Sequence, residues 1–252
     1  MIYTEPMETQ AEGVPLPPSM AAAWGVRERP TKGPKPGLTL ERIVQAGVRV
    51  ARTEGLAAVS MARVATELGV STMSLYRYVA AKDELLALMV DAALGAAPEP
   101  AGSDESWFEG LARWAWTYHD RAREHAWTLR VPITGPPIAP NQVTWLESGL
   151  QSLRDTGLSE EEKASVVLLL SGYVRNEATL TADIAAGAFT TDDAMRGYNR
   201  LLGSLTDPRR FPAIHALLAA KVFDVADPPD KEFSFGLERI LDGVEILIRS
   251  KR

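Results

Sequence analysis

Hydrophobic residues recur every three or four positions along most of this chain, which is the spacing of one face of an α-helix. No strand-length run of alternating apolar and polar residues with turn signals is present, and no internal repeat is present. The pattern therefore predicts an all-α protein. Helices are expected at residues 39–54, 60–68, 71–78, 81–94, 107–124, 141–155, 159–186, 191–205, 211–222 and 233–251, with a shorter piece at 125–129.

The breaks in this pattern divide the chain into three parts. Residues 1–37 are rich in Pro, Gly and polar residues and lack periodicity, so we expect a disordered N-terminal arm. Residues 95–104 contain Pro, Gly and Ser and predict a loop between domains. A chain of 252 residues is long enough for two domains. We expect a small helical domain at 38–94 and a larger one at 105–252.

The segment SMARVATELGVSTMSLYRYV, residues 60–79, has the pattern of a helix-turn-helix. Ala65 allows close approach of two helices, Gly69 supplies the positive φ of the turn, and Leu75 packs inward. The outward face of the following helix is polar, aromatic and basic, without a carboxylate. It comprises Thr72, Met73, Ser74, Tyr76, Arg77 and Tyr78. Such a face fits the major groove of DNA, whose edges offer hydrogen bonds and thymine methyl groups.

The distribution of charge supports this interpretation, although the net charge of −6 alone does not. Between Arg27 and Lys82 there are ten Lys and Arg against four Glu, and the rest of the chain has 17 basic against 29 acidic residues. A basic module on an acidic body is expected when one end meets phosphate. The cations of the arm, at positions 27, 29, 32 and 35, form either a solvated tail or a DNA-binding extension.

Residues 38–94 resemble the DNA-binding domain of TetR-family repressors. The resemblance rests on Ile43 and Ala46, Glu54-Gly55-Leu56, Val64-Ala65, Leu68-Gly69-Val70, Ser74-Leu75-Tyr76, Tyr78-Val79 and Lys82-Asp83-Glu84-Leu85-Leu86. It implies base or adjacent backbone contacts from Thr72, Met73, Ser74 and Arg77. It implies phosphate contacts from Ser60, Arg63, Tyr76, Tyr78 and Lys82, and it adds Thr39, the N-cap of the first helix, to the DNA-binding residues. Arg77 is expected to bind either guanine or phosphate, and Tyr76 is alternatively a half-buried core aromatic.

The larger domain resembles the C-terminal domain of the tetracycline-repressor branch of this family. The resemblance is carried by residues 107–124, the Pro-rich bend at 132–140, residues 145–159 and Leu168-Leu169-Leu170-Ser171-Gly172-Tyr173. It implies a homodimer in which helices 159–182 and 233–250 pair with their mates, the alternative being that their apolar surface belongs to the core. A small-molecule pocket is also implied. Candidate ligand contacts, each alternatively a core residue, are Trp114, Tyr118, Trp127, Trp145, Tyr173, Asn176 and Tyr198.

The chemistry of the effector is narrowed by one absence in the sequence. Tetracycline repressors hold a magnesium-chelated drug through a histidine in the bend, and residues 134–140 here contain none. We therefore expect a bulky, mostly apolar effector, with no metal and no cofactor. Residues 85–94, which join the DNA-binding domain to the larger domain, are expected to transmit the effect of effector binding.

Other classes of protein find little support. The absence of Cys excludes disulfides, thiolate metal sites and a Cys nucleophile, and His119, His125 and His215 lack metal-site spacing. No apolar run is long enough to span a bilayer and no signal peptide is evident, so a cytoplasmic protein is expected. The sequence predicts a ligand-responsive repressor that binds operator DNA as a homodimer, and not an enzyme. The alternative is a helical small-molecule-binding or interaction protein without operator binding.

Overall fold

The computed structural model describes residues 16–26, 37–99, 102, 104–187, 192–224, 228 and 230–251. Within these residues all regular structure is helical, which confirms the all-α prediction. The helices are α1 (Pro18–Ala23), α2 (Leu40–Glu54), α3 (Met61–Leu68), α4 (Thr72–Tyr76), α5 (Lys82–Leu94), α6 (Trp107–Glu124), α7 (Pro140–Ser152), α8 (Glu160–Ala186), α9 (Asp192–Leu205), α10 (Pro212–Ala219) and α11 (Lys231–Arg249). Short 3-10 helices lie at Leu56–Ala58 and Ala126–Arg130.

Hydroxyl caps fix where several of these helices begin. Thr39 Oγ1 accepts the Arg42 backbone N–H at 3.1 Å at the start of α2. Ser159 forms a reciprocal capping box with Glu162 at the start of α8, and three Glu residues in the first turn face the positive end of the helix dipole. Because such caps are written in the sequence, the predicted starts of α2 to α11 agree with the structure within two residues.

The chain folds as two compact units, and the first comprises residues up to Ala92 together with Ile138–Pro140. Its core is formed by α2, α3, α4 and α5. The side chains that are essentially removed from solvent are Ile43, Val50, Val59, Val64, Leu75, Val79, Leu85 and Met89. Gly47 lies where α2 meets α5, and a Cβ at this position would stand 2.6 Å from Met89 Sδ. The glycine thus allows the two helices to approach closely.

The second unit comprises residues 93–137 and 141 onward. Its core lies between α6, α8 and α11, with α7 contributing aromatic side chains. The buried core residues are Leu111, Trp114, Ala115, Trp145, Leu153, Leu158, Val166, Val167, Leu170, Val174, Phe233, Leu237, Leu241, Val244 and Ile248. No helix among the described residues is sufficiently long and apolar to cross a membrane.

The N-terminal arm differs from expectation over residues 16–26. This stretch contains helix α1, with Pro18 at its first position, and it buries Ser19 and Met20. Beyond the helix, Trp24 Nε1 donates a hydrogen bond to the Ile138 carbonyl oxygen at 2.8 Å. A six-residue helix is too short to show periodicity, and its stabilising contact lies 114 positions away in the chain. Residues 1–15 and 27–36, to which the prediction of disorder also applies, lie outside the described residues.

The Trp24 hydrogen bond gives a stability prediction. Trp24→Phe keeps an aromatic ring but removes the N–H donor, so the free energy of unfolding should fall by about 0.5–1.5 kcal/mol. Urea unfolding followed by circular dichroism measures this change. The matched control is Trp107→Phe, because the Trp107 indole nitrogen makes no hydrogen bond within the described residues. Equal losses in both variants would show that the bond to Ile138 does not stabilise α1.

Candidate DNA-binding and ligand-binding sites

Helix α4 is anchored by two buried residues, and its other side chains are exposed or half-buried. Leu75 and Val79, just beyond its end, are completely buried, whereas Met73 is 73% exposed and Tyr76 is 46% exposed. Arg77 is also exposed. The orientation predicted from the sequence, with Leu75 inward and the polar face outward, is therefore the one observed. A five-residue helix presents this face only because its buried anchors fix it.

Hydroxyl groups at helix starts add possible phosphate ligands to the same unit. Ser60 Oγ accepts the Arg63 backbone N–H at 3.1 Å, and Thr39 caps α2 in the same way. In both cases the oxygen is the acceptor, so the hydroxyl hydrogen remains available to a phosphate. Lys82 is exposed at the first position of α5. These positions agree with contacts to a DNA backbone.

Arg63 has a different environment from the one expected of a phosphate ligand. Its Nε lies 3.1 Å from both carboxylate oxygens of Glu54, and Nη2 contacts Glu54 and lies 3.0 Å from Glu67. The hydrogen bond and charge of Arg63 lower the pKa of Glu54, while the two acids raise the pKa of Arg63. Arg63 thus ties the end of α2 to α3, and a phosphate would have to compete with two carboxylates.

Tyr78 is similarly engaged within the protein. Its hydroxyl donates to the Leu38 carbonyl oxygen at 2.9 Å, across 40 positions of the chain. This bond fixes the residues just before α2 against the segment that follows α4. The geometry supports a positioning role for Tyr78, and the phosphate contact predicted for it stays a prediction.

In the second unit, three of the candidate ligand residues form one aromatic cluster. The rings of Trp114, Tyr118 and Trp145 contact one another with centroid distances of 5.6 Å for each pair. Both indole nitrogens are satisfied, because Trp114 Nε1 donates to the Trp145 carbonyl and Trp145 Nε1 donates to the Gly95 carbonyl, each at 2.9 Å. The cluster is therefore rigid.

Arg175 joins this cluster, although the sequence analysis did not select it. Its Nη2 donates to the carbonyl oxygens of Leu129 and Val131 at 3.1 and 2.9 Å, and its charge lies close to the Tyr118 phenol. Burial raises the pKa of Tyr118, and the nearby charge of Arg175 only partly opposes that effect. Tyr118 is thus a neutral hydrogen-bonding group at physiological pH. An arginine on a long helix gives no sequence signal that separates it from a solvated one.

A buried polar pair is formed by His119, the residue after Tyr118 on α6, and Glu177 on α8. His119 Nε2 and Glu177 Oε2 are 2.7 Å apart, and the completely buried imidazole stacks on Phe233 with a centroid distance of 4.0 Å. The pair connects α6, α8 and α11. The structure thus places His119 in the core of the unit.

The remaining ligand candidates are spread more widely. Tyr173 stacks on Phe233 and its hydroxyl donates to the carbonyl oxygens of Glu232 and Phe233 at 3.0 Å each. Trp127 is buried in the 3-10 helix Ala126–Arg130. Asn176 is exposed on α8, and Tyr198 packs on Phe223 at 5.3 Å. The structure therefore brings together Trp114, Tyr118 and Trp145 but does not place Asn176 or Tyr198 beside them.

Helices α8 and α11 carry an apolar surface in addition to their core-facing stripes. Its most exposed members are Leu168, Leu169, Leu180, Phe235 and Ile246. Between the two helices lies a groove of about 480 Å³, lined by Glu161, Glu162, Ser165, Val166, Leu169, Arg239, Ile240, Gly243, Val244 and Leu247. An apolar surface of this kind is typical of a protein–protein interface. No group of three or more His, Asp or Glu suited to a metal ion occurs within the described ranges.

These features define an all-helical protein with a helix-turn-helix unit and a helical regulatory body, and comparison with known proteins gives the family. Residues 43–89 match the family described as "Bacterial regulatory proteins, tetR family". Residues 99–248 match the family described as "Tetracyclin repressor-like, C-terminal domain". The chain belongs to the TetR family, as the sequence resemblance predicted.

Individual relatives agree with this assignment. The HTH-type transcriptional repressor DrrR1 of Streptomyces coeruleorubidus is 36% identical over 234 residues, which cover 91% of this chain and 85% of the relative. Apo ActR of Streptomyces coelicolor has a TM-score of 0.72 at 30% identity and covers 87% of this chain and all of its own. ActR in complex with actinorhodin has a TM-score of 0.71 at 31% identity, covering 84% of this chain and 98% of that one.

Taken with the fold, these relatives establish the class of activity. The chain is a ligand-responsive, DNA-binding transcriptional repressor, and dimerisation and release by an effector are typical of its family.

Lys82 gives a test of phosphate binding. Lys82→Ala should weaken binding to every duplex alike and lower the salt slope of log K by about one unit, because one counterion fewer is released. Fluorescence anisotropy with a random-sequence duplex at several salt concentrations measures both effects. Lys231→Ala is the matched control, since Lys231 also opens a helix and is exposed but lies on α11. A salt slope that Lys82→Ala leaves unchanged would refute the contact.

Proposed function

We propose that this protein represses transcription by seating α4 in the major groove at each half of a two-fold symmetric operator. The exposed, carboxylate-free face of α4, fixed by Leu75 and Val79, is the observation that carries this proposal. Helix-turn-helix proteins read bases with this helix, and their dimers bind half-sites about one helical turn apart. We further infer that the protein is not an enzyme and that it acts with the DNA in the cytoplasm.

We assign each candidate DNA-binding residue to bases, to phosphates or to positioning according to the surroundings of its side chain. Thr72, Met73, Ser74 and Arg77 are assigned to bases or the adjacent backbone. Ser60, Thr39, Tyr76 and Lys82 are assigned to phosphates, since each keeps a donor free in the structure. Arg63 and Tyr78 are assigned to positioning, since their donors already serve Glu54, Glu67 and Leu38.

The effector is assigned to the second unit, at the cluster of Trp114, Tyr118 and Trp145. The aromatic lining and the small number of polar groups beside it are typical of small-molecule sites. The complex of ActR with actinorhodin supports a ligand in this half of the chain. An effector that favours one state of the dimer must weaken DNA binding by its differential affinity for the two states. Helix α5, which precedes the second unit in the chain, is assigned to transmit the effect of effector binding to the DNA-binding unit.

A direct experiment tests the repressor mechanism. A duplex selected from a random library on the immobilised protein is titrated with protein, with and without actinorhodin as the probe. We expect nanomolar, two-fold symmetric binding and a weaker apparent affinity when the probe is present. A failure of selection to yield any preferred duplex would refute operator binding and favour a helical binding protein without it.

The dimer surface gives a separate prediction. Leu168→Glu places a charge on the exposed face of α8, where we assign the interface, so the protein should become monomeric and lose affinity for a two-half-site duplex. Ile133→Glu is the control, because Ile133 has the same 73% exposure but lies in the Pro-rich bend. Light scattering coupled to size-exclusion chromatography measures the mass. A dimeric Leu168→Glu variant would place the interface elsewhere.

A further inference from the structure

Arg175 is a half-buried cation whose described contacts are all with neutral groups. Other arginines of the second unit are paired with acids, as Arg113 is with Glu105 at 2.8 Å and Arg123 is with Asp230 at 2.6 Å. Within the described parts of the chain, no carboxylate lies within 4.0 Å of the Arg175 guanidinium. A partly desolvated charge without a counter-ion is costly and is therefore expected to have a role.

The guanidinium still has donors to offer. Of its five N–H groups, those of Nη2 serve the Leu129 and Val131 carbonyls, and the Tyr118 phenol lies close to the charge. The remaining donors and the Tyr118 hydroxyl hydrogen are available to an incoming acceptor. The two carbonyl bonds hold the guanidinium in one orientation, so a bound acid would find a preorganised partner.

The surroundings of Arg175 define what else the ligand carries. Tyr118 connects Arg175 directly to the rings of Trp114 and Trp145. Trp127 lies in the 3-10 helix that also supplies the Leu129 carbonyl. Its indole N–H is buried and has no hydrogen-bond partner within the described residues. A buried donor without an acceptor is rare in native proteins, so the Trp127 N–H is a second group that an acceptor on the ligand would satisfy.

We propose that the effector is an aromatic molecule carrying an anionic group, a carboxylate or an acidic phenol, which Arg175 binds while the aromatic skeleton packs beside Tyr118, the half-buried member of the aromatic cluster. This inference rests on the proposed effector site and names the class of its ligand. It changes the expectation of a mostly apolar effector, because the charge on Arg175 favours an anion over a neutral molecule of equal size.

The test compares acids with their neutral esters. The probes are 2-naphthoic acid, anthraquinone-2-carboxylic acid and the methyl ester of each, measured by isothermal titration calorimetry on the full-length dimer. Wild-type protein should bind at least one acid roughly tenfold or more tightly than its ester, as one charge-assisted hydrogen-bonded contact allows. No binding of either acid, or equal binding of acid and ester, would overturn the proposal.

Variants connect the preference to Arg175. Arg175→Met should bring the affinity of the acid down to that of the ester, while Arg175→Lys should keep part of the preference because it keeps the charge. Arg154→Met is the matched control, since it removes an exposed guanidinium from the same unit, and it should leave the preference unchanged. Circular dichroism checks that Arg175→Met is folded; if it is not, the Arg175→Lys result decides. A full preference in the lysine variant would overturn the role of the planar guanidinium.

DNA binding by the same samples separates this inference from the repressor mechanism. If an acid binds through Arg175 but leaves the affinity for the selected duplex unchanged, the ligand assignment stands and the switching proposal fails. If actinorhodin releases DNA equally from wild type and Arg175→Met, and neither protein prefers acids to esters, the switch stands and the assignment to Arg175 fails.

Discussion

The burial of Leu75 and Val79 is the constraint on which the DNA-binding unit depends. Helix α4 has five residues, which is too few to persist alone in water. Its conformation is therefore supplied by the core that α2, α3 and α5 build around those two side chains. The bonds from Arg63 to Glu54 and from Tyr78 to Leu38 add restraint at either side of the motif. The DNA-binding surface can therefore consist almost entirely of side chains that do not stabilise α4.

The second unit solves a different problem, since it buries polar groups inside an aromatic core. His119 and Glu177 share one hydrogen bond, and the imidazole stacks on Phe233. Arg175, two residues before Glu177 on α8, is bonded only to neutral oxygens within the described residues, so the two polar groups differ in electrostatic character. The His119–Glu177 pair therefore joins three helices, whereas the Arg175 cation is still able to bind a ligand.

The segment from Leu129 to Pro140 is divided between the two units, because its last three residues belong to the first unit and the others to the second. Its first carbonyls accept from Arg175 in the second unit, whereas Ile138–Pro140 pack within the first, where Trp24 donates to Ile138. The four prolines and one glycine between residues 130 and 141 have few backbone donors to restrain them otherwise. Those two sets of hydrogen bonds are therefore what fixes the bend at its ends.

The sequence by itself determined the helices, their caps and the outward face of α4, because periodicity, Ser and Thr caps and a turn glycine at Gly69 act locally. It also determined the family, through motifs spread over residues 38–94. Only the tertiary structure decided that Trp24 binds Ile138, that Arg63 and Tyr78 are already engaged, and that Arg175 lies beside Tyr118. Each of these depends on residues far apart in the chain, or on which partner a long polar side chain reaches, and no local pattern encodes that choice.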